Sequence, residues 1–139
     1  MEEIDETDEK IIEILKKDSR TAYTDISKKL GLSDVAVKKR IDKLIEKGII
    51  KHFSITLDYA KIGKPLRAFL LLRMKPSYTE DIIEHLAKID GVLNVLQTVG
   101  SYDFLVELVC RDMGELKRIA EEQIGNLEGI NEIRTLIGV

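Results

Sequence analysis

Residues 24–50, TDISKKLGLSDVAVKKRIDKLIEKGII, restrict the fold more than any other stretch of the chain. They predict two helices joined by a tight turn, an arrangement that lets the second helix lie in the DNA major groove. The first helix is expected from Thr24 to Leu30. Gly31 then supplies the left-handed backbone that a sharp exit needs. Ser33 stands where its hydroxyl can accept an orphan backbone N–H and cap the second helix. In that helix Val37, Ile41, Leu44 and Ile45 recur at i, i+4, i+7 and i+8 and share one face. Val35, Ala36, Lys39 and Lys43 fall on the opposite side, with Lys38 flanking them. A small, cationic front on a short helix suits a groove lined by phosphates.

Charge distribution supports this assignment. The chain has 22 Lys and Arg against 25 Asp and Glu, a net charge of −3. Residues 16–51 nevertheless hold eleven Lys or Arg and five Asp or Glu. A basic window inside an acidic protein is the electrostatic footprint of a nucleic-acid face. The candidate DNA contacts are therefore Ser33, Val35, Ala36, Lys38, Lys39 and Lys43, with Lys28, Lys29 and Arg40 as additional phosphate ligands. The angle of Arg40 around the helix also permits an intramolecular salt bridge.

Other function classes have little to stand on. The single cysteine, Cys110, excludes an internal disulfide, and one thiol does not make a zinc site. Its setting, FLVELVC, predicts a buried, small apolar role. There is no Walker loop, paired catalytic carboxylate, Cys-His pair or metal-ligand cluster. No cofactor, metal site or catalytic residue is expected. His52 and His85 are the only histidines. The acidic start, MEEIDETDEK, lacks a signal-peptide apolar region, and no apolar run approaches a membrane span. A cytoplasmic location and no membrane partner follow as expectations.

The chain organises into two halves. A first helix over about residues 5–17 can close on the helix pair, giving a core of Ile11, Leu15, Ile26, Leu30, Val37, Ile41 and Leu44. Residues 49–57 carry alternating Phe53, Ile55 and Leu57 and predict a wing or connecting strand. Gly63 and Pro65 mark the boundary. The resulting division is 1–52 for the helix-turn-helix, 53–65 for a linker strand and hinge, and 66–139 for a second domain.

The second half alternates strand and helix. LRAFLLLRMK is a strand, and residues 77–80, SYTE, match a capping box before the helix DIIEHLAKI. VLNVLQTV and DFLVELVC are strands joined by a turn at 100–102. DMGE caps a second helix with Leu116, Ile119, Ala120, Ile124 and Leu127 inward, and INEIRTLIG is the final strand. The order βαββαβ is ferredoxin-like. An internal repeat, LAKIDGVLNV against IGNLEGINEI, agrees with a doubled βαβ unit. The fold class is therefore α+β: an N-terminal, winged-helix-like helix-turn-helix and a C-terminal ferredoxin-like domain. Phe69, Leu71, Leu105 and Val109 make the helix-free sheet face apolar as well, which calls for a partner. In a homodimer that partner is the same face of another copy.

With these segments in place the chain resembles the Lrp/AsnC (feast/famine) family of prokaryotic transcription regulators. The resemblance runs through IDETDEKIIEILKKDSR, TDISKKLGLS, VKKRIDKLIEKGIIK and GSYDF at residues 100–104. It implies a DNA-binding N-terminal domain, a dimerising C-terminal domain, assembly of dimers up to octamers, and small effectors such as amino acids. Gly100, Ser101, Tyr102 and Asp103 match the family's effector loop, and Thr98 and Thr135 are their neighbours by position. The alternative role of this loop is a tight hairpin held by Asp103. Sirohaem decarboxylases share the architecture, which leaves an enzyme of that kind as the competing expectation.

Overall fold

A computed structural model gives the structure of residues 3–78 and 81–139. The chain divides into two units, Met1–Thr56 and Leu57–Val139.

In the first unit Asp5 starts α1, Glu6–Lys17, through a reciprocal cap. Its carboxylate accepts the Asp8 N–H at 2.8 Å, and the Asp8 carboxylate accepts the Asp5 N–H at 3.2 Å. Helix α2 spans Tyr23–Leu30 and α3 spans Asp34–Glu46. Between them Gly31 takes φ +68°, and the Leu32 N–H returns to Ser27 O at 3.0 Å. The turn is thus closed by backbone geometry that glycine adopts without strain. Ile11, Ile26, Val37 and Ile41 form the buried centre, with Ile14, Leu15, Leu30 and Leu32 packed around it. Leu44 is buried as well. Ile45 departs from the expected inward face: it is 44% exposed. It stands about 100° round the helix from the buried Leu44, at the edge of the buried stripe. Ser27 is the one buried polar residue among those described. Its Oγ lies 2.6 Å from Asp34 Oδ1 and 2.8 Å from Thr24 O, so its single proton is donated either across to α3 or back within α2.

No strand forms over residues 49–57 among the described residues, contrary to the alternation there. Residues 51–58 are exposed irregular chain, and Phe53, Ile55 and Leu57 are 49%, 76% and 41% exposed. A strand needs a ladder partner for its N–H and C=O groups, and none is present among the described residues.

The second unit runs β1 Leu66–Met74, α4 Ile82–Ala87, β2 Val92–Gln97, β3 Phe104–Cys110, α5 Met113–Arg118, and β4 Ile130–Gly138. Helix α5 continues into one π-helical turn, Ile119–Ile124. Asp112 caps α5 by accepting the Glu115 N–H at 2.8 Å. The capping box expected at 77–80 includes residues 79 and 80, which lie outside the described residues. The sheet order is β2-β3-β1-β4, antiparallel throughout, as a ferredoxin-like fold requires. Ala68, Leu70, Leu72, Phe104, Val106 and Leu108 bury the helix-covered face against Ile82, Leu86, Leu116, Ile119 and Ile124. The other face carries Phe69, Leu71 and Leu105 half-buried, with Leu96 and Leu136 at 49% and 50% exposure.

The repeat has a backbone counterpart. Gly91 and Gly129 take φ +89° and +94° at the exits of the two helical segments. Each offers its carbonyl to a strand: Gly91 O accepts from Val109 N and Gly129 O from Lys75 N, both at 2.9 Å.

Candidate functional site

The front of α3 is set by three local choices. Ser33 Oγ accepts the Ala36 N–H at 3.1 Å and fixes the helix start. Val37, Ile41 and Leu44 point into the core and fix its rotation. Val35, Lys38, Lys39 and Lys43 are consequently exposed, and Ala36 is half-buried. Lys28 and Lys29, in the last turn of α2, are also exposed.

The cations of this surface fall into two groups. Lys38 Nζ lies 2.7 Å from Asp42 Oδ2, one turn along α3. The hydrogen bond to Asp42 raises the Lys38 pKa above the ordinary lysine value. Arg40 Nη1 lies 2.7 Å from Asp5 Oδ2 and 3.0 Å from Asp8 Oδ1, binding α3 to the start of α1. The Arg40 hydrogen bond holds the Asp5 carboxyl below the usual carboxylate value, and Asp5 raises Arg40 in turn. Both shifts are electrostatic couplings at the surface, not effects of burial. Lys28, Lys29, Lys39 and Lys43 have no ion-pair partner among the described residues. An open cleft is lined by the acidic Glu3, Asp5 and Asp8 together with the basic Lys39, Arg40 and Lys43.

Arg40, read from the sequence as an additional phosphate ligand, is therefore already engaged by two carboxylates. Sequence reasoning did not identify Asp5 and Asp8 as its partners. The pairing depends on how α1 crosses α3, which no local pattern states. Asp42 was visible at i+4 from Lys38, the spacing that brings helix side chains together.

In the second unit Thr98, Ser101, Tyr102 and Asp103 come together at the β2–β3 hairpin. Thr98 Oγ1 donates to Tyr102 O at 2.7 Å, and Thr98 N donates to Asp103 O at 2.8 Å. Asp103 N donates to Leu72 O at 2.8 Å, while Asp103 Oδ2 accepts the Met74 N–H at 2.7 Å. The carboxylate thus extends the β1–β3 ladder past the point where strand pairing ends. Gly100 has φ +141° and an exposed backbone with open space around its Cα. Arg73 ties the loop to the sheet. Its Nε donates to Ser101 O at 3.0 Å, its guanidinium lies 5.0 Å from the Tyr102 ring centroid, and Nη1 pairs with Glu132 at 3.1 Å. Tyr102 Oη donates to the same Glu132 carboxylate at 3.3 Å.

Thr135 is not brought to this loop within the chain. It pairs with Leu70 in the β1–β4 ladder, whereas Glu132 pairs with Arg73. Side chains alternate along a strand, so Thr135 and Glu132 stand on opposite sheet faces. Arg73 and Glu132 are the residues the sequence did not single out. Their ladder position opposite each other depends on the β1–β4 register.

His52 and His85 are both exposed, one in each unit. Cys110 is buried, and burial raises its thiol pKa. No helix among the described residues is long and apolar enough to cross a membrane.

Comparison with known proteins agrees with both halves. The winged helix-turn-helix DNA-binding family matches residues 4–51, and the Lrp/AsnC ligand binding domain matches residues 67–138. The HTH-type transcriptional regulator LysM of Saccharolobus solfataricus is 42% identical over 128 residues, 91% of this chain and 87% of that one. LysM of Sulfurisphaera tokodaii is 39% identical over 131 residues, 94% of this chain and 91% of that one. The structure of E. coli AsnC matches with a TM-score of 0.86 at 26% identity, covering 99% of this chain and 93% of that chain. A helix-turn-helix of this geometry, joined to a βαββαβ ligand-binding domain that matches over its whole length, makes this chain a member of the Lrp/AsnC family of transcription regulators.

Proposed function

We propose that this regulator docks the front of α3 in the major groove of double-stranded DNA and binds a pseudo-palindromic operator as a homodimer or a higher assembly. The observation that carries this reading is the division of α3 into a buried face, Val37, Ile41 and Leu44, and an exposed front with unpaired Lys39 and Lys43. Phosphate contacts from such lysines position a helix, and side chains at its front read base edges. The half-exposed apolar face of the sheet supports pairing of two copies, since a contiguous apolar surface is costly to leave in water. Naming of the relatives as transcriptional regulators supports a binding role over an enzymatic one. The protein then acts in the cytoplasm without a catalytic group or cofactor.

The β2–β3 hairpin is the proposed effector site, with Thr98, Gly100, Ser101, Tyr102 and Asp103 taking a small molecule such as an amino acid. Gly100 leaves room for approach to the backbone, and one Asp103 oxygen remains to accept from an ammonium group. The effector acts by differing in affinity between assembly states.

Selection of genomic DNA fragments on the purified protein, with and without amino acids, tests the reading. Expected is one enriched motif with two-fold symmetry, its half-sites separated by roughly 10 bp or a multiple. Enrichment of no motif overturns sequence-specific binding. A monomeric mass in solution at micromolar concentration overturns the dimer. Amino acids that change neither motif occupancy nor assembly overturn the effector site.

A further inference from the structure

The readers at the front of α3 are unusual in what they lack. Hydrogen-bonded base recognition uses Arg or Lys on guanine and Asn or Gln on adenine, and of these only Arg, Asn and Gln bring a planar fork. The α3 sequence, DVAVKKRIDKLIE, contains no Asn or Gln. Its single arginine, Arg40, is held by Asp5 at 2.7 Å and Asp8 at 3.0 Å, and so does not present a free fork to a base. Lys38 is likewise held by Asp42. What stands forward at the start of the helix is Val35, 74% exposed, one residue beyond Asp34 and two beyond the Ser33 cap.

We propose that Val35 reads the C5-methyl group of a thymine in each half-site. This inference rests on the reading that α3 enters the major groove. A valine side chain neither donates nor accepts a hydrogen bond. The one apolar group a base pair displays in the major groove is the thymine methyl, so that is the feature an isopropyl group recognises there. Contact removes both apolar surfaces from water, and the methyl itself carries no donor or acceptor to satisfy. A cytosine at the same place offers a hydrogen in place of the methyl and loses that burial. Lys39 and Lys43, one and two turns along, flank the contact as phosphate ligands. The operator position opposite Val35 is therefore an A·T pair with its thymine methyl facing the helix.

The test uses the full chain and the operator duplex recovered by selection. Each thymine is replaced singly by deoxyuridine, which deletes only the methyl. Affinity is measured by fluorescence anisotropy for the wild type and for Val35→Ala. Alanine is the stronger helix former at this exposed site, so the variant keeps its fold, which circular dichroism checks. One thymine per half-site should cost the wild type about four-fold in affinity when demethylated, the worth of one buried methyl. Val35→Ala should bind the intact operator more weakly and no longer distinguish thymine from uracil there. Random-sequence duplex should bind both proteins equally. Wild-type indifference to uracil at every position overturns the proposal, as does full thymine preference retained by Val35→Ala. Equal wild-type affinity for the operator and for random duplex overturns the groove-docking reading itself, and this proposal with it.

Discussion

Lys39→Ala and Arg40→Ala each remove one positive charge from adjacent positions of α3, yet the two should change different quantities. Lys39 is exposed and unpaired, so its ammonium is free to replace a condensed counterion on a phosphate. Arg40 is already neutralised by Asp5 and Asp8 within the first unit. Loss of one phosphate contact lowers the slope of log affinity against log salt by about 0.9 per recognition helix engaged. Across a fourfold salt range, about 50 to 200 mM, that slope change corresponds to roughly a 3.5-fold smaller loss of affinity per engaged helix, or about 12-fold for a dimer engaging two, for Lys39→Ala than for the wild type. Arg40→Ala should shift the slope by less than half as much. It should instead lower the melting temperature of the helical unit, because the clamp between α1 and α3 is gone and the Asp5–Asp8 pair is left without its cation. Anisotropy titrations at five salt concentrations, with calorimetry on the same samples, measure both quantities. An unchanged slope in Lys39→Ala removes it from the phosphate ligands. A slope in Arg40→Ala as low as that of Lys39→Ala shows that Arg40 leaves its carboxylates when DNA binds and refutes the distinction.

Acid titration probes the same clamp. Asp5 has a lowered folded-state pKa, so its contribution is present above the ordinary carboxylate value and is lost as pH falls through the lowered one. The stability of the first unit should decrease as pH falls below roughly 4, and Asp5→Asn should flatten that acid limb. Gly31 and Gly91 both have positive φ, but a Cβ on Gly31 meets nothing within 4 Å whereas one on Gly91 comes to 2.4 Å from Val109 O. Gly31→Ala should cost about 1–2 kcal/mol from backbone conformation alone. Gly91→Ala should cost more, because β3 must move, and equal losses by calorimetry would show that the clash relaxes freely. Asp103→Ala leaves the Met74 N–H without its acceptor and should destabilise the second unit by about 1–3 kcal/mol with or without any amino acid present. A loss of effector response with unchanged stability would assign Asp103 to ligand and not to the hairpin.

How much of this was legible in the sequence depends on the range of the interactions concerned. Ser33, Gly31 and the Val37–Ile41–Leu44 spacing act within a few residues, so the turn and the rotation of α3 could be read directly. The βαββαβ order was legible for the same reason, since each strand and helix carries its own period. Ile45 satisfied the helical period and is nevertheless 44% exposed, because a period says which face a residue shares but not how wide a stripe the neighbouring helices cover. Residues 49–57 alternate as a strand should, but alternation supplies no ladder partner, and they form none among the described residues. Thr135 was placed near the hairpin by chain position, while the β1–β4 register sets it on the other sheet face from Glu132. Arg73 and Glu132 became neighbours of Tyr102 through that same register. What the sequence did not disclose is in each case decided by contacts between segments distant along the chain.

The clamp at Arg40 also bears on how an acidic chain binds a polyanion. A net charge of −3 gives no long-range attraction to DNA, and at physiological salt charges farther apart than about 8 Å are largely screened. Attraction must then come from cations within that distance of the phosphates. Asp42 spends its charge on Lys38, and Asp5 and Asp8 spend theirs on Arg40. Pairing these carboxylates with neighbouring cations keeps them from facing the phosphates as free anions, and leaves Lys28, Lys29, Lys39 and Lys43 as the cations of α2 and α3 without an ion-pair partner among the described residues. In the proposed docking, a basic surface made of a few fixed positions, set among neutralised ones, would hold α3 in one orientation where a uniform positive patch would tolerate several. One fixed orientation is what a helix without Asn, Gln or a free Arg needs if a single apolar side chain is to meet the same base in every half-site.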